Sequence, residues 1–338
     1  MHPNLEVGND ILSLASKNKK RFFEAYVEPK KLPLKEPIGG AEIFEELEKH
    51  PLGFLHGFEK GIHIESSEKN LKRFWKGWMA SDDKQDPLQD HHTPFAAFNV
   101  TLNDPKKGIW RCISGDSIER TFREYTYPTA KSSSDRLPFS SVVTPGGWIT
   151  FCHNDGCGCG QLLWQLFGMK LVFWWELEGD TMEMYGPLHH RNKGEFLRRA
   201  VKEWPGLKWT ILGPGDYLVM NPGTVHAVLS PVNSVVGGIH LLDQEWIKNG
   251  SVETKISWHF QKIEAMIEDP SEDHENIEEV LNTIEKVDVE LWGRLRRNTT
   301  DHDLIQKLEN LQTSAKEKIR KIRNHKGFRE NQKMHSKK

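Results

Sequence analysis

Residues 147–174 read GWITFCHNDGCGCGQLLWQLFGMKLVFW. Three apolar runs, WITFCH, GQLLWQLF and KLVFW, are set apart by a Gly- and Cys-rich loop and a Gly-Met turn. Short β-branched and aromatic runs bounded by glycine turns are strand signals. The pattern continues as LKWTIL, DYLVMN, HAVLS and SVVGGIHLL. Its junctions contain Gly213–Pro214–Gly215–Asp216, Asn221–Pro222–Gly223 and Pro231–Val232–Asn233. Many short strands with frequent turn signals predict a barrel or jelly roll over residues 141–243.

Outward from this region the period changes. Upstream, AFNVTL, IWRCIS and FREYTY read as further strands, and a Ser-rich loop at 131–135 precedes the dense region. Residues 11–27 predict a helix with Ile11, Leu14, Phe22, Phe23 and Tyr26 on its apolar side. Shorter helices are expected at Ala41–His50 and over 71–79, the second followed by a polar loop at 81–94. Downstream of 245, helical periodicity returns over 252–268, 276–298 and 303–323. Ile277, Val280, Leu281, Ile284, Val287, Leu291 and Leu295 recur there at intervals of three and four.

The 338 residues suffice for one large domain or two small ones. Residues classed as hydrophobic make up 37 %, and twelve Trp and sixteen Phe point to a core of large rings. No secretory signal opens the chain, and no apolar run is long enough to span a membrane. Four cysteines are too few for a disulfide scaffold, and the grouping of Cys152, Cys157 and Cys159 suits a reducing compartment. The net charge of −2 argues against nucleic-acid binding over the whole surface, but it conceals a split. Residues 261–290 hold eleven acidic and two basic side chains, whereas 314–338 hold ten basic and two acidic.

The chemistry-bearing pattern is His153-Asn154-Asp155, with His226 far downstream. Two imidazoles and one carboxylate form the facial ligand set of non-haem Fe(II), which leaves three adjacent positions open. A spacing of i, i+2 at a strand end lets His153 and Asp155 face one way, and a facing strand would bring His226. The triplet alone is weak: 16 His and 48 acidic residues give about two His-x-Asp/Glu matches by chance. A second match, His63-Ile64-Glu65, lacks a surrounding strand ladder in the sequence and reads as a surface coincidence. Lys170 opens the return strand of an apolar hairpin. Its ammonium either sits in water at the turn or is paired, since an unpaired buried charge is costly.

From about Val143 to Leu242 the chain resembles the JmjC domain of Fe(II)- and 2-oxoglutarate-dependent oxygenases. The resemblance rests on ITFCHND, LFGMKLVFW, LGPGDYLVMNPGTVHAVL and SVVGGIHLL, in that order, over about 100 of 338 residues. It implies that His153, Asp155 and His226 bind Fe(II). It implies that Lys170 pairs with the distal carboxylate of the cosubstrate 2-oxoglutarate, while O2 takes a remaining metal position. Thr150 matches a position that donates a hydroxyl to that carboxylate in some members, and is otherwise a plain strand residue. His240 lies where members carry a polar residue facing the cosubstrate, and is otherwise a core histidine. Trp164, Phe173 and Trp174 are candidate walls, or simply core.

The expected architecture is mainly β: a double-stranded β-helix (jelly roll, cupin-like) core with flanking N- and C-terminal α-helices. Residues 1–94 form a helical and mixed extension, 95–246 the JmjC-like core, and 247–338 a helical region with a basic tail. The expected activity is that of a dioxygenase hydroxylating a C–H of a protein or peptide, by side-chain hydroxylation or N-methyl-lysine demethylation. The rivals are a non-catalytic JmjC-like assembly module and a metal cupin that does not use 2-oxoglutarate. The acidic run 264–279 offers a surface for a basic peptide such as a histone tail, or is a solvated helix face. The basic tail offers contact with nucleic acid or a nuclear-import signal, or is a solvated helix end; nucleus is favoured slightly over cytoplasm. The C-terminal helices offer a route to oligomers. A structural zinc site on Cys152, Cys157 and Cys159 is disfavoured by their spacing, and a thiol beside an oxidising site is expected to turn away, Cys152 above all. His91–His92 and His189–His190 read as loop residues.

Overall fold

The computed structural model describes residues 3–43, 55–57, 63–64, 95–101, 112, 140–154, 159–176, 193–268, 277–278, 281–282, 284–285 and 289–325. Among the described residues there are twelve strands: β1 (Lys30–Lys31), β2 (Leu55–Gly57), β3 (His63–Ile64), β4 (Phe95–Thr101), β5 (Ser140–Thr144), β6 (Trp148–His153), β7 (Gly160–Phe167), β8 (Lys170–Trp175), β9 (Leu207–Leu212), β10 (Asp216–Met220), β11 (Val225–Ser230) and β12 (Ser234–Leu241). The helices are α1 (Pro3–Lys17), α2 (Lys19–Ala25), α3 (Lys193–Glu203), α4 (Gln244–Lys248), α5 (Ser251–Glu268), α6 (Val289–Asn298) and α7 (His302–Asn324). The described chain is therefore mixed α and β, with helical segments as prominent as strands, where the sequence predicts a mainly β protein.

The strands form two antiparallel sheets. One runs β1-β10-β7-β12-β5-β4-β2-β3 and the other β6-β11-β8-β9. Alternation along the strands divides the side chains into two populations. Val172 and Trp174 on β8, Val228 on β11 and Leu212 on β9 cluster with Leu218 and Met220 on β10 and Leu163 on β7. These residues come from both sheets and define an inter-sheet face. The alternate residues Phe173, Trp175, Ala227 and Leu229 pack instead with Ile11 of α1, Phe22 of α2 and Phe196 and Ala200 of α3. Helices thus cover the outer face of the four-stranded sheet.

A third cluster joins Phe260 and Ile263 of α5, Ile277, Leu281 and Ile284, Trp292 of α6, and the α7 stripe Leu304, Leu308, Leu311, Ala315, Ile319 and Ile322. The stripe's spacing of three and four places it on one helical face. Asp301 starts α7 by accepting a hydrogen bond from the Leu304 amide at 3.1 Å. That bond, followed by Lys248, holds its carboxyl below the usual range.

Several expectations change. The helix predicted over 11–27 is two helices, because the chain leaves helical geometry at Asn18 (φ −118°, ψ 43°). The break resets the helical phase, so Ile11 and Phe22 are buried while Phe23 is 85 % exposed and Tyr26 bridges to Trp209. Helix α3 was hidden within a region read as strands, although Phe196, Leu197, Ala200 and Val201 carry a helical period. The helix expected over 276–298 contributes Ile277, Leu281 and Ile284 to the core, and α6 covers its last part. His63 does have a strand ladder: β3 pairs with β2 through Leu55↔Ile64 and His56↔His63. The helix over 71–79, the loop at 81–94, most of the strands at 109–114 and 122–127, both His-His pairs and the tail beyond His325 lie outside the described residues.

The β7–β8 hairpin turns at Gly168, whose φ is +69°. A Cβ placed there would lie 1.9 Å from the backbone oxygen of Asn233. Gly168→Ala is therefore expected to destabilise the fold by more than the ~1 kcal/mol of a left-handed alanine alone. A lowered thermal midpoint, with weaker packing around Lys170, is the result to look for; an unchanged midpoint would show that the loop at Asn233 yields freely.

Candidate active site

Strands β6 and β11 lie side by side, and their register pairs His153 directly with His226. The two rings stand 4.2 Å apart between centroids, tilted by 48°. His226 is buried, and its cross-strand neighbour on the other side is Trp174. His153 Nδ1 lies 2.7 Å from the Phe151 carbonyl oxygen, and His226 Nδ1 lies 3.3 Å from that of Thr224. A carbonyl oxygen only accepts, so in both contacts Nδ1–H is the donor. In both rings Nε2 is thereby the nitrogen left to face a ligand, the arrangement of a metal-binding imidazole held by a backbone carbonyl.

The register between β6 and β11 shifts between His226 and Val228: His226 faces His153, but Val228 faces Thr150. Two steps on β11 thus match three on β6, which marks a β-bulge on β6. In a regular strand, residues three apart point to opposite faces. The bulge brings Thr150 and His153 onto the same face, a role bulges commonly play in re-aiming side chains. It also lets Ile149 and Cys152 both join the helix-covered cluster. Cys152 accordingly faces away from the histidines, as expected, and burial pushes its thiol well above the ordinary value. Cys159 packs in the C-terminal helical cluster, so the two thiols belong to different cores. Cys157 lies outside the described residues.

Lys170 shares the inter-sheet face with Val172 and Trp174 by alternation. It is 2 % exposed. Its Nζ donates to Thr144 Oγ1 of β5 and to Ser230 Oγ of β11, the latter at 2.8 Å. Thr144 Oγ1 lies 2.8 Å from Ser230 Oγ and 3.0 Å from Ser234 Oγ, so three hydroxyls form a linked cradle across both sheets. Among the described residues no carboxylate forms an ion pair with Lys170. Desolvation lowers its pKa to about 7. The alternative of a lysine at a turn with its head in water is thereby excluded.

His240 pairs with Gln161 across β12 and β7, two residues from the Gly238↔Leu163 pair. Since Leu163 packs into the inter-sheet cluster, His240 faces the same interior. Thr150, His153, Lys170, His226 and His240 therefore share one face, with the histidine pair and the lysine cradle as separate stations on it. Asp155 lies outside the described residues, and among the described residues no group of three His, Cys, Asp or Glu is assembled for a metal. The expected aromatic wall is corrected in part. Trp174 faces the interior, but Phe173 must point the other way and packs under the helices. Trp164 alternates with the inward Leu163, and its Nε1 donates to the Leu32 carbonyl oxygen at 3.0 Å.

The cradle hydroxyls were not anticipated from the sequence. Thr144 and Ser230 each stand just before a proline at a strand end, where a hydroxyl reads as turn chemistry. The available signal was the lysine itself: a buried amine requires acceptors, and small hydroxyls at neighbouring strand ends are the ones within reach. No family model matches the chain, and no curated protein matches it significantly. No helix among the described residues is long and apolar enough to cross a membrane.

Proposed function

We propose that this chain is an Fe(II)- and 2-oxoglutarate-dependent oxygenase of JmjC type, built on a double-stranded β-helix core and acting on a C–H of a protein. The observation that carries this reading is Lys170, a buried amine cradled by hydroxyls on the same inter-sheet face as two directly opposed histidines. A metal-chelating dicarboxylate supplies both stations at once. Its distal carboxylate provides the counter-charge that a buried ammonium needs. Lys170 neighbours Ser230, four residues along β11 from His226, and so roughly 13 Å of strand. A five-carbon diacid spans that interval once the imidazole and the aminobutyl chain are allowed for.

The strand order supports the core assignment. From β5 to β12 every connection except β8–β9 crosses between sheets, giving β5-β12-β7-β10 opposite β6-β11-β8-β9. Such crossing between two four-stranded layers supports the reading of a jelly-roll winding. The donor set fits a divalent transition metal: two imidazoles held through Nδ1 so that Nε2 is presented, with Asp155 two residues after His153 in the sequence.

When bound, iron with 2-oxoglutarate and O2 supplies oxidative decarboxylation of the oxo acid coupled to oxygenation of a substrate C–H. The chain's own contribution is positional. Backbone carbonyls of Phe151 and Thr224 fix the two rings. Lys170, held by Thr144 and Ser230, orients the far end of the diacid. Val172, Trp174 and Val228 line the interval with apolar surface and exclude water. Side-chain hydroxylation and N-methyl-lysine demethylation both begin at such a C–H, and a basic peptide such as a histone tail is a candidate substrate.

Fe(II)-loaded protein given 2-oxoglutarate and O2 is expected to release succinate slowly even without a protein substrate, and His153→Ala is expected to release none. No succinate from the wild type, with candidate peptides also supplied, would overturn the proposal.

A further inference from the structure

Lys170 differs from an ordinary buried cation in the kind of partner it has. A carboxylate partner would fix the ammonium form. Hydroxyls do not, because each can accept from –NH3+ or donate to –NH2. Thr144 Oγ1 and Ser230 Oγ lie 2.8 Å apart with Ser234 next in line, so their protons can turn toward either the amine or one another. The cradle therefore satisfies both protonation states, while only the charged one provides an attractive counter-ion for a carboxylate.

Among the described residues, the surroundings place no charged partner on the amine. Thr144 faces the amine from β5, Ser230 from β11, and Ser234 stands behind Thr144 on β12. Leu212 is opposite it on β9, and Gln165 is the buried polar residue that β7 contributes near the hairpin. On the strands around it, the titratable groups are Cys152, His153, Lys208, Asp216, Tyr217, His226 and His240. Lys208 pairs with Glu176 at 3.0 Å at the far end of β9, and Cys152 packs under the helices. Asp216 is bound by Lys31 and caps the Gly213 amide. Tyr217 pairs with Trp164, on the face away from the interior. The histidines belong to the other stations.

We infer that binding of a dicarboxylate at this site is accompanied by uptake of a proton from solvent onto Lys170 Nζ, making affinity for the cosubstrate pH-dependent. The inference rests on the proposed oxygenase reading and adds to it a proton-linked control of cosubstrate loading. The proton balance is simple. A neutral amine gains one N–H bond, the buffer loses one proton, and the diacid stays a dianion throughout. Burial, which already lowers this amine to about 7, agrees with a neutral form being populated above neutrality.

The test is calorimetric titration of 2-oxoglutarate into Mn(II)-loaded full-length protein, in two buffers of different ionisation enthalpy. Uptake should be near zero at about pH 6 and approach one proton at about pH 8.5, with Kd rising up to tenfold per pH unit above neutrality. At the higher pH free imidazoles are already neutral, so histidine ligands do not supply this signal. Lys170→Arg, which keeps its charge, should bind with a pH-independent proton number. If wild-type binding at high pH takes up no proton, the inference is overturned and the oxygenase reading stands. If 2-oxoglutarate binds at no pH, that reading falls, and the inference with it.

Discussion

Lys170→Met is expected to leave the ligand-free protein as stable as the wild type, or more stable by up to about 4 kcal/mol, as when buried ionic groups are replaced by apolar ones. The same change is expected to weaken 2-oxoglutarate binding by ~2–5 kcal/mol, or ~30-fold to several thousand-fold. The two effects have opposite sign because a buried amine without a carboxylate partner burdens the fold, and on the proposed reading it is an asset only to the complex. Thr144 and Ser230 keep each other as partners when the amine is gone. A purely structural lysine would behave differently, and its removal would lower the thermal midpoint.

The pH dependence of the ligand-free protein follows from the same residue. The folded-state pKa of Lys170 is lowered from 10.5 to about 7, so between these values the unfolded chain binds more protons than the folded one. This residue's contribution therefore improves stability as pH rises through that window. Its penalty is complete below about 7 and absent above about 10.5. In Lys170→Met this rise should disappear, which thermal melts of both proteins across the window would read directly.

His153→Ala and His226→Ala are each expected to lower Fe(II) affinity by more than about 100-fold, since loss of an outer-sphere partner alone costs 10- to 100-fold. Turnover of 2-oxoglutarate should fall to background in both. The folded state should survive better in His153→Ala, because His153 ends β6 and is only partly buried, whereas His226 is buried between β6 and β8. Metal content after dialysis, measured beside a thermal melt, separates loss of the ligand from loss of the fold. Metal retained at wild-type level by both variants would remove these histidines from the site.

Much of the strand region was legible because its turns are chemically explicit. GQLLWQLF and LKWTIL match β7 and β9 end to end, and glycine with φ above zero marks the turns at Gly168, Gly215 and Gly223. What escaped was whatever depends on register between distant strands. The bulge that brings Thr150 beside His153 arises from the pairing of β6 with β11, whose partners are more than seventy residues apart. The outward turn of Phe173 followed from alternation but was masked by an apolar run in which both faces are buried. The exposed Phe23 shows the limit of periodicity, since one non-helical residue at Asn18 resets the phase. At the site, the sequence pointed to Lys170 and to the histidines. It could not show that the partners of Lys170 are hydroxyls, because Thr144 meets Ser234 only through the pairing of β5 with β12, and Ser230 and Lys170 join them only when the second sheet closes over the first.

The central claim is that the histidine pair and Lys170 grip the two ends of one molecule. Anaerobic titration of 2-oxoglutarate into Fe(II)-loaded protein, followed by the visible charge-transfer absorption of a 2-oxo acid chelating iron, tests it most directly. The wild type should develop the band with saturation, Lys170→Met should require ~30-fold or more additional 2-oxoglutarate, and His153→Ala should show no band. A wild type without the band, or a band whose half-saturation is the same in Lys170→Met, would contradict the account.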